Sequence, residues 1–312
     1  MKILITGVSG FIGSVLCKEL KNNTDYLVAG SARNYFDGEG VDIINVGDID
    51  QNTDWSSALN NVSIVIHLAA HVHNKCTKNN ISNLHYKVNV EGSRNLAEQA
   101  VLAGVKRFIY LSSIGVHGVL TSIEQPINAS SPFSPYDDYT KSKLIAEQSL
   151  QSITRNSLME LVVIRPPMVY GYDAPGNFRS LVKLLNLKLP LPFKSINNKR
   201  SFIAIDNLID FIITCIKHPQ AAVKSFVVSD DFDLSTSDLL GALNKSLDRP
   251  SILFSIPEVI LKLVFSMLGK RKLYKKICGS LIIDIAESKQ LLNWSPKTTF
   301  NMAIQKSVRQ RL

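Results

Sequence analysis

Tyr139 and Lys143 stand four residues apart in the run Tyr139-Thr140-Lys141-Ser142-Lys143. On a helix that spacing places them on one face. A free phenol is a poor base at neutral pH, with a reference pKa of about 10. A neighbouring ammonium, together with the positive ring of an oxidised dinucleotide, favours the phenolate and lowers that value. Such a tyrosine can exchange the proton of a hydroxyl whose carbon gives or takes a hydride. Ser113, with Ser112 beside it, follows the apolar run Arg107–Leu111 and can hydrogen-bond the same oxygen. A second signal sits near the start, in Thr6-Gly7-Val8-Ser9-Gly10-Phe11-Ile12-Gly13. Glycines let a chain turn sharply and approach a pyrophosphate closely. The helix they open aims unpaired N–H groups and a positive dipole at the anion. Tyr-x-x-x-Lys arises by chance on many helices, and glycines also simply end strands. The two signals together, in strand–turn–helix context, point to nucleotide-dependent redox chemistry at an alcohol or ketone carbon.

These residues need a scaffold, and the flanking sequence supplies one. Strand-like runs occur at Lys2–Thr6, Tyr26–Ser31, Ile43–Val46, Ser63–Leu68, Arg107–Leu111 and Glu160–Ile164. Helical patterns fall between several of them, at Phe11–Asn22, Asn89–Ala103 and Asp138–Ile153. Alternation of this kind predicts an α/β fold of the Rossmann type, a doubly wound parallel sheet with helices on both faces. The strands read as continuous apolar runs, as buried parallel strands do. After Arg165-Pro166-Pro167 prolines become frequent and elements shorter. We therefore expect a dinucleotide-binding domain over 1–168. A smaller C-terminal substrate-binding domain is expected over 169–312, with some strands returning to the first sheet.

The residues after the second strand bear on the cofactor. A carboxylate there would accept hydrogen bonds from the ribose 2′-hydroxyl of NAD. The sequence offers Ser31-Ala32-Arg33-Asn34 instead. The planar fork of Arg33 suits a 2′-phosphate, so NADP(H) is favoured, with NAD(H) the alternative. Asp48 and Ile49 are placed to meet the adenine, and Leu68, Ala69 and Ala70 to flank the ribose and phosphates.

Composition excludes several classes. The 312 residues are 45% hydrophobic and 20% charged, which describes an ordinary globular chain rather than a disordered one. No apolar run reaches spanning length, and the N-terminus enters a buried strand rather than a signal sequence, so a cytoplasmic protein without a transmembrane segment is expected. Cys17, Cys76, Cys215 and Cys278 show no metal-site spacing, and His71-x-His73 lacks a third ligand nearby, so no metal is expected. The net charge of +9 lacks the aromatic-interleaved basic run of a nucleic-acid binder, and a nucleotide diphosphate is a sufficient partner for it. Ile256–Leu268 is apolar and leads into Lys270, Arg271, Lys272, Lys275 and Lys276. We expect a helix packed on the small domain with its basic tail near substrate phosphates; an interfacial membrane helix is the alternative.

Taken together, these residues resemble the extended short-chain dehydrogenase/reductase superfamily, in its nucleotide-sugar epimerase/dehydratase branch. The resemblance rests on TGVSGFIG at 6–13, HLAA at 67–70, Asn89-Val90-x-Gly92, Leu111-Ser112-Ser113, YTKSK at 139–143 and IRPPMVYG at 164–171. It continues through Gly176-Asn177-Phe178, Arg200-Ser201-Phe202-Ile203 with Asp206, and Asn293-Trp294-x-Pro296. It implies that Ser113, Tyr139 and Lys143 are catalytic. It implies a cofactor site formed by Gly7, Ser9, Gly10, Phe11, Ile12, Gly13, Asn89, Tyr139, Lys143, Pro166 and Met168, besides the residues named above. Substrate would be held by Ser113, Asn177, Arg200 and Lys276. A UDP-sugar substrate and a homodimer formed through helices of the first domain are also implied. Asn293 stands where glycine is usual, and His117 where tyrosine is common near the sugar pocket. Ser112-Ser113-Ile114 lacks the Asp-Glu pair of 4,6-dehydratases, which argues against that activity.

Two chemistries use this apparatus. Arg33 favours an NADPH-dependent 4-ketoreductase acting on a UDP-4-keto-6-deoxy-N-acetylhexosamine in surface-polysaccharide precursor synthesis. The alternative is a 4-epimerase for UDP-glucose or UDP-N-acetylglucosamine. A non-catalytic NADP(H)-binding sensor is the third reading, which the intact Ser113, Tyr139 and Lys143 disfavour.

Overall fold

The computed structural model describes residues 1–312 apart from 24, 35–37, 39, 73–82, 247–251 and 310–312. His73 and Cys76 lie outside the described residues. Strands are β1 (Lys2–Thr6), β2 (Leu27–Ala32), β3 (Asp42–Asn45), β4 (Val62–His67), β5 (Arg107–Leu111), β6 (Glu160–Arg165), β7 (Met168–Tyr170), β8 (Arg200–Ala204), β9 (Lys224–Val227) and β10 (Asp233–Leu234). Helices of the first half are α1 (Phe11–Asn23), α2 (Ser56–Leu59), α3 (Ser93–Leu102) and α4 (Asp138–Arg155). Those of the second half are α5 (Gly176–Asn186), α6 (Ile205–Lys217), α7 (Thr236–Ser246), α8 (Glu258–Met267), α9 (Arg271–Cys278), α10 (Ala286–Leu292) and α11 (Phe300–Arg309).

Seven strands form one parallel sheet in the order β3-β2-β1-β4-β5-β6-β9. The order reverses between β1 and β4, and the crevice outside their carboxyl ends is where such sheets bind ligands. Strand alternation divides the core. Ile3, Ile5, Ile64, Ile66, Ile109, Val162 and Ile164 pack on one face with α1 and α6. Leu4, Val65, Phe108, Tyr110 and Val163 pack on the other with α3 and α4. The strand β9, from the C-terminal half, completes this sheet beside β6. A second sheet, β10-β8-β7, stands over its own apolar cluster, which includes Phe178, Val182, Leu185, Leu240 and Leu243.

One helix departs from its sequence reading. The pattern at Asn89–Ala103 predicts a helix beginning at Asn89, but helical backbone is already present at 83–85. It continues as a π-helical stretch, Tyr86–Gly92, before α3. Such wider turns concentrate at functional sites. Here Gly92 allows the close approach, since a Cβ there would stand 2.5 Å from Ile49 Cγ2. Asn293 holds a left-handed φ of +46°, a conformation asparagine adopts more readily than most residues.

A buried ion pair joins α4 to the sheet. The Arg165 guanidinium at the end of β6 donates from Nη2 to Glu147 Oε2 at 2.7 Å, and the two side chains are 2% and 1% exposed. Arg165 Nη1 also donates to Ala129 O at 2.9 Å and approaches His117 Nε2 at 3.1 Å. Removing one member leaves an uncompensated buried charge, which costs about 3–5 kcal/mol. Glu147→Ala is expected to lose stability on that scale in urea unfolding. The paired change Glu147→Leu/Arg165→Met should lose clearly less, giving a favourable coupling in the double-mutant cycle.

Candidate active site

The dinucleotide cradle begins where β1 ends. Gly7 has a φ of +70°, and a Cβ there would stand 2.9 Å from Ala69 Cα. A Cβ on Gly13 would stand 2.2 Å from Gly7 O. Backbone fills both positions, so only glycine fits. A buried network holds the turn: Thr6 Oγ1 lies 2.6 Å from His67 Nδ1, and His67 Nε2 lies 2.8 Å from Ser93 Oγ. Burial, reinforced by Lys143, lowers His67 to about 3, so it is a neutral tie between β1, β4 and α3. Ala69 N donates to Thr6 Oγ1 at 3.2 Å, closing β4 onto the glycine turn.

Beside this turn runs a groove of about 650 Å³ lined by Gly7, Ser9, Gly10, Arg33, Asp48, Ile49, Leu68, Ala69 and Ala70. Ser31, Gly47, Lys87 and Val88 also line it, although the sequence did not single them out. Its shape and its glycine floor fit a dinucleotide. Phe11, Ile12 and Gly13 open α1 behind the floor. Arg33 is not isolated on the rim: its Nε stands 2.7 Å from Asp48 Oδ1, with both side chains largely exposed. Asn89 turns its side chain away from open space. Its Oδ1 accepts from His71 N at 2.7 Å, and its Nδ2 donates to His71 O and to Ser142 Oγ. It therefore clamps the groove wall to α4.

The N-terminus of α4 is set by a capping box between Asp137 and Thr140, with Asp137 Oδ1 accepting from Thr140 N at 2.9 Å. This fixes Tyr139 in the first turn and Lys143 one turn on, with Glu147 another turn beyond. Ser113 caps the short turn Ile114–His117 by accepting from Gly115 N at 3.1 Å. Gly115 in turn packs against Thr140, where a Cβ would meet Thr140 Cγ2 at 2.5 Å. The turn bearing Ser113 thus abuts the start of α4. Ile114 N donates to Pro166 O at 2.9 Å, which brings the Pro166–Met168 segment to the same crevice. The Ser112 hydroxyl is buried there without a partner.

The expected lowering of the Tyr139 pKa rests on Lys143 together with a positive nicotinamide ring, and the protein's own groups do not supply it. Lys143 Nζ donates to Leu111 O at 2.8 Å and stands 4.6 Å from the centre of the Tyr110 ring. Burial lowers Lys143 to about 7, with Glu147 working in the opposite direction. Burial pushes the Tyr139 phenol up, and Asp137 and Tyr136 add to that rise. The protein alone therefore keeps this tyrosine proton-loaded. The His85 ring lies 6.0 Å from the Tyr139 ring.

Two predicted substrate residues are brought together by a third that the sequence reading missed. Lys276 Nζ stands 6.0 Å from the Tyr136 ring centre. Arg200, held by its Nη1 bond to Gly279 O at 2.8 Å, is close enough to lower the Tyr136 pKa against a dominant burial effect. Burial lowers Arg200 itself. Tyr136 sits just before the capping box, and that position was its only signal. Asn177 is exposed in the first turn of α5, and no described contact joins it to this cluster. His117 is buried, stacked on Phe133 at 5.2 Å, and held by Pro132 O and Arg165. No cluster of three metal-ligating side chains occurs among the described residues.

The lowered Lys143 value has a thermodynamic sign. Between about 7 and the unfolded lysine value near 10.4, the unfolded chain binds more protons than the folded one, so stability rises with pH in that window. The difference in unfolding free energy between the protein and its Lys143→Met variant should therefore increase from pH 7 to pH 10. Chemical denaturation of both without added nucleotide checks this.

Comparison with known proteins agrees with this architecture. Residues 3–229 match the model of the NAD dependent epimerase/dehydratase family. A UDP-glucose 4-epimerase of Vibrio cholerae is 40% identical over 299 residues, covering 95% of this chain and 91% of the relative. An N-acetyl-alpha-D-glucosaminyl-diphospho-ditrans,octacis-undecaprenol 4-epimerase of Escherichia coli O157:H7 is 27% identical, covering 86% of this chain and 77% of the relative. The crystal structure of a UDP-glucuronic acid 4-epimerase from Bacillus cereus in complex with NAD superposes with a TM-score of 0.80, covering 100% of this chain and 99% of that one. At 22% identity that match speaks for the fold. With the family model spanning most of its length and a 40% identical relative spanning nearly all of it, this chain belongs to the NAD dependent epimerase/dehydratase family.

Proposed function

We propose that the protein is a nucleotide-sugar 4-epimerase that interconverts the C4 epimers of a UDP-hexose with a retained nicotinamide dinucleotide. The observation that carries this reading is the 40% identity to a UDP-glucose 4-epimerase along 95% of the chain. The convergence of Ser113, Tyr139 and Lys143 at the crevice supports it. When bound, the nicotinamide ring supplies a hydride acceptor and donor at C4. Tyr139 Oη takes the C4 hydroxyl proton as that hydride leaves, and returns it when the hydride comes back to the opposite face. Ser113 Oγ holds the C4 oxygen. Lys143, freed from Leu111 O, holds the nicotinamide ribose and carries positive charge beside the phenolate. Arg200 and Lys276 hold the diphosphate, with Tyr136 between them.

NAD suits this site better than Arg33 alone suggests. A 2′-phosphate would compete with Asp48, whose carboxylate already stands 2.7 Å from Arg33. A neutral 2′-hydroxyl needs no such exchange. The 4-ketoreductase with NADPH remains the second reading, because Arg33 does line the groove. A dimer formed through α3 and α4 is proposed as well, since Leu102 and Ile145 are exposed there.

The test is incubation with UDP-glucose, UDP-N-acetylglucosamine and polyprenyl-diphosphate-linked N-acetylglucosamine, read by NMR of the sugar. Isomerisation of one of them without net change in nicotinamide absorbance is expected. Stoichiometric NADPH oxidation by a UDP-4-keto-6-deoxy sugar, with no isomerisation, would overturn the reading. Tyr139→Phe should lower kcat by about 10²–10⁴-fold, with dinucleotide binding retained. Asp48→Ala should raise NADP affinity by about tenfold, because it frees Arg33 for a charge-assisted bond worth roughly 1.5–3 kcal/mol. NAD, whose 2′-hydroxyl brings no charge for Arg33, should not share that gain, and titration with both nucleotides by fluorescence gives the ratio.

A further inference from the structure

Helix α8 presents apolar side chains on two faces. Leu261 is 2% exposed and packs inward, with Phe265 beside the same cluster. Outward, Val259, Leu263 and Met267 form an i, i+4, i+8 ladder that is 78%, 59% and 79% exposed. Ile260 and Val264 form a second exposed ladder next to it, and Leu268 ends the row. The helix packs on the second core through Leu261 and Phe265, as expected, but leaves most of its other apolar side chains exposed.

The chain then reverses at Gly269, with a φ of +67°, into α9. Lys270 N donates to Phe265 O at 2.8 Å, Tyr274 Oη donates to Glu258 Oε1 at 2.7 Å, and the Phe265 and Tyr274 rings stand 6.0 Å apart. The hairpin is thus fixed from inside while its outer ladders face solvent. From Val259 to Cys278 the sequence holds six cations and no carboxylate. Lys270, Arg271, Lys272 and Lys275 are exposed along the edge of the apolar strip, with Leu273, also exposed, among them.

An apolar strip bordered by cations matches one surface chemistry, the headgroup and acyl boundary of an anionic bilayer. A protein partner or a second copy would need a compensating acidic rim, and the one carboxylate of this hairpin, Glu258, is taken up by Tyr274. The ten residues of α8 span about 15 Å, half of a bilayer's hydrocarbon core, so the helix lies in the interface and does not cross. We propose that the α8–α9 hairpin docks the protein on the surface of an anionic phospholipid bilayer. Lys276, in the last turn of α9, stands 6.0 Å from the Tyr136 ring centre. Docking therefore brings the diphosphate cluster towards the membrane surface.

The test is co-sedimentation of the full chain with vesicles of phosphatidylcholine and of phosphatidylcholine mixed with phosphatidylglycerol. Binding is expected only with the anionic vesicles, and should weaken at least about tenfold in Leu263→Glu/Met267→Glu and in raised salt. Lys270→Glu/Lys272→Glu should weaken it similarly. Leu263 and Met267 are exposed and lie outside the candidate site, so in Leu263→Glu/Met267→Glu the thermal transition and the turnover of a water-soluble UDP-sugar should stay unchanged. That turnover separates failure here from failure of the epimerase reading. Absence of binding to anionic vesicles, or binding that the variants leave intact, would overturn the proposal. So would light scattering that shows a dimer broken by Leu263→Glu/Met267→Glu, which would assign the strip to a second copy.

Discussion

The site depends on the buried pair between Glu147 and Arg165. A helix lying on a sheet can rotate about its axis at little cost if only apolar side chains meet. A nearly solvent-free guanidinium–carboxylate contact removes that freedom, because any rotation strands a charge. Glu147 lies two turns after Tyr139 and one after Lys143, so fixing Glu147 against β6 fixes which way the other two point. The same guanidinium reaches His117 and Ala129 O. It thereby anchors the segment that follows Ser113. One buried cation orients both halves of the catalytic apparatus.

That arrangement also sets the proton inventory. Glu147 supports a positive charge on Lys143, while burial opposes it, and the balance leaves the ammonium close to neutral pH. Tyr139 feels burial and nearby negative groups, and keeps its proton. A site built this way waits for external positive charge before the phenol can act as a base. An oxidised nicotinamide ring carries such charge and a reduced one does not. Under the proposed 4-epimerase reading, proton transfer at Tyr139 Oη would follow the charge of the ring held in the groove, as a reversible reaction at one carbon needs.

Much of this was legible in the sequence where the cause is local. Gly7 and Gly13 are required by backbone approaching within 3 Å, so their identity and spacing announce the cradle. Parallel strands buried on both faces read as apolar runs, and all six predicted ones occur within a residue or two of their expected places. What escaped depends on contacts between distant segments. Arg33 looks like a free phosphate ligand until Asp48, on the neighbouring loop, stands beside it. Lys143 shares a face with Tyr139 yet bonds Leu111 O, because β5 ends directly beneath it. Tyr136 gathers Arg200 and Lys276 from two separate elements, and no spacing rule records that meeting. The π-helical Tyr86–Gly92 stretch, with Gly92 close against Ile49, likewise carries no local signal in the sequence.

The C-terminal half illustrates the limit of pattern reading from the opposite side. An apolar segment such as 256–268 states that it must leave water, but not what it will meet. In α7 comparable residues, Leu239, Leu240 and Leu243, join Phe178, Val182 and Leu185 of α5 in the second core. By the time the chain reaches α8 the cluster has room for Leu261 and Phe265 and little more. Tyr274 ties α9 back to Glu258 at the start of α8. With Leu261 turned inward and Val259, Leu263 and Met267 turned out, α8 keeps an outward chemistry distinct from its inward one. The inward face closes the second core, and Lys276 beside Tyr136 links the hairpin to the candidate site.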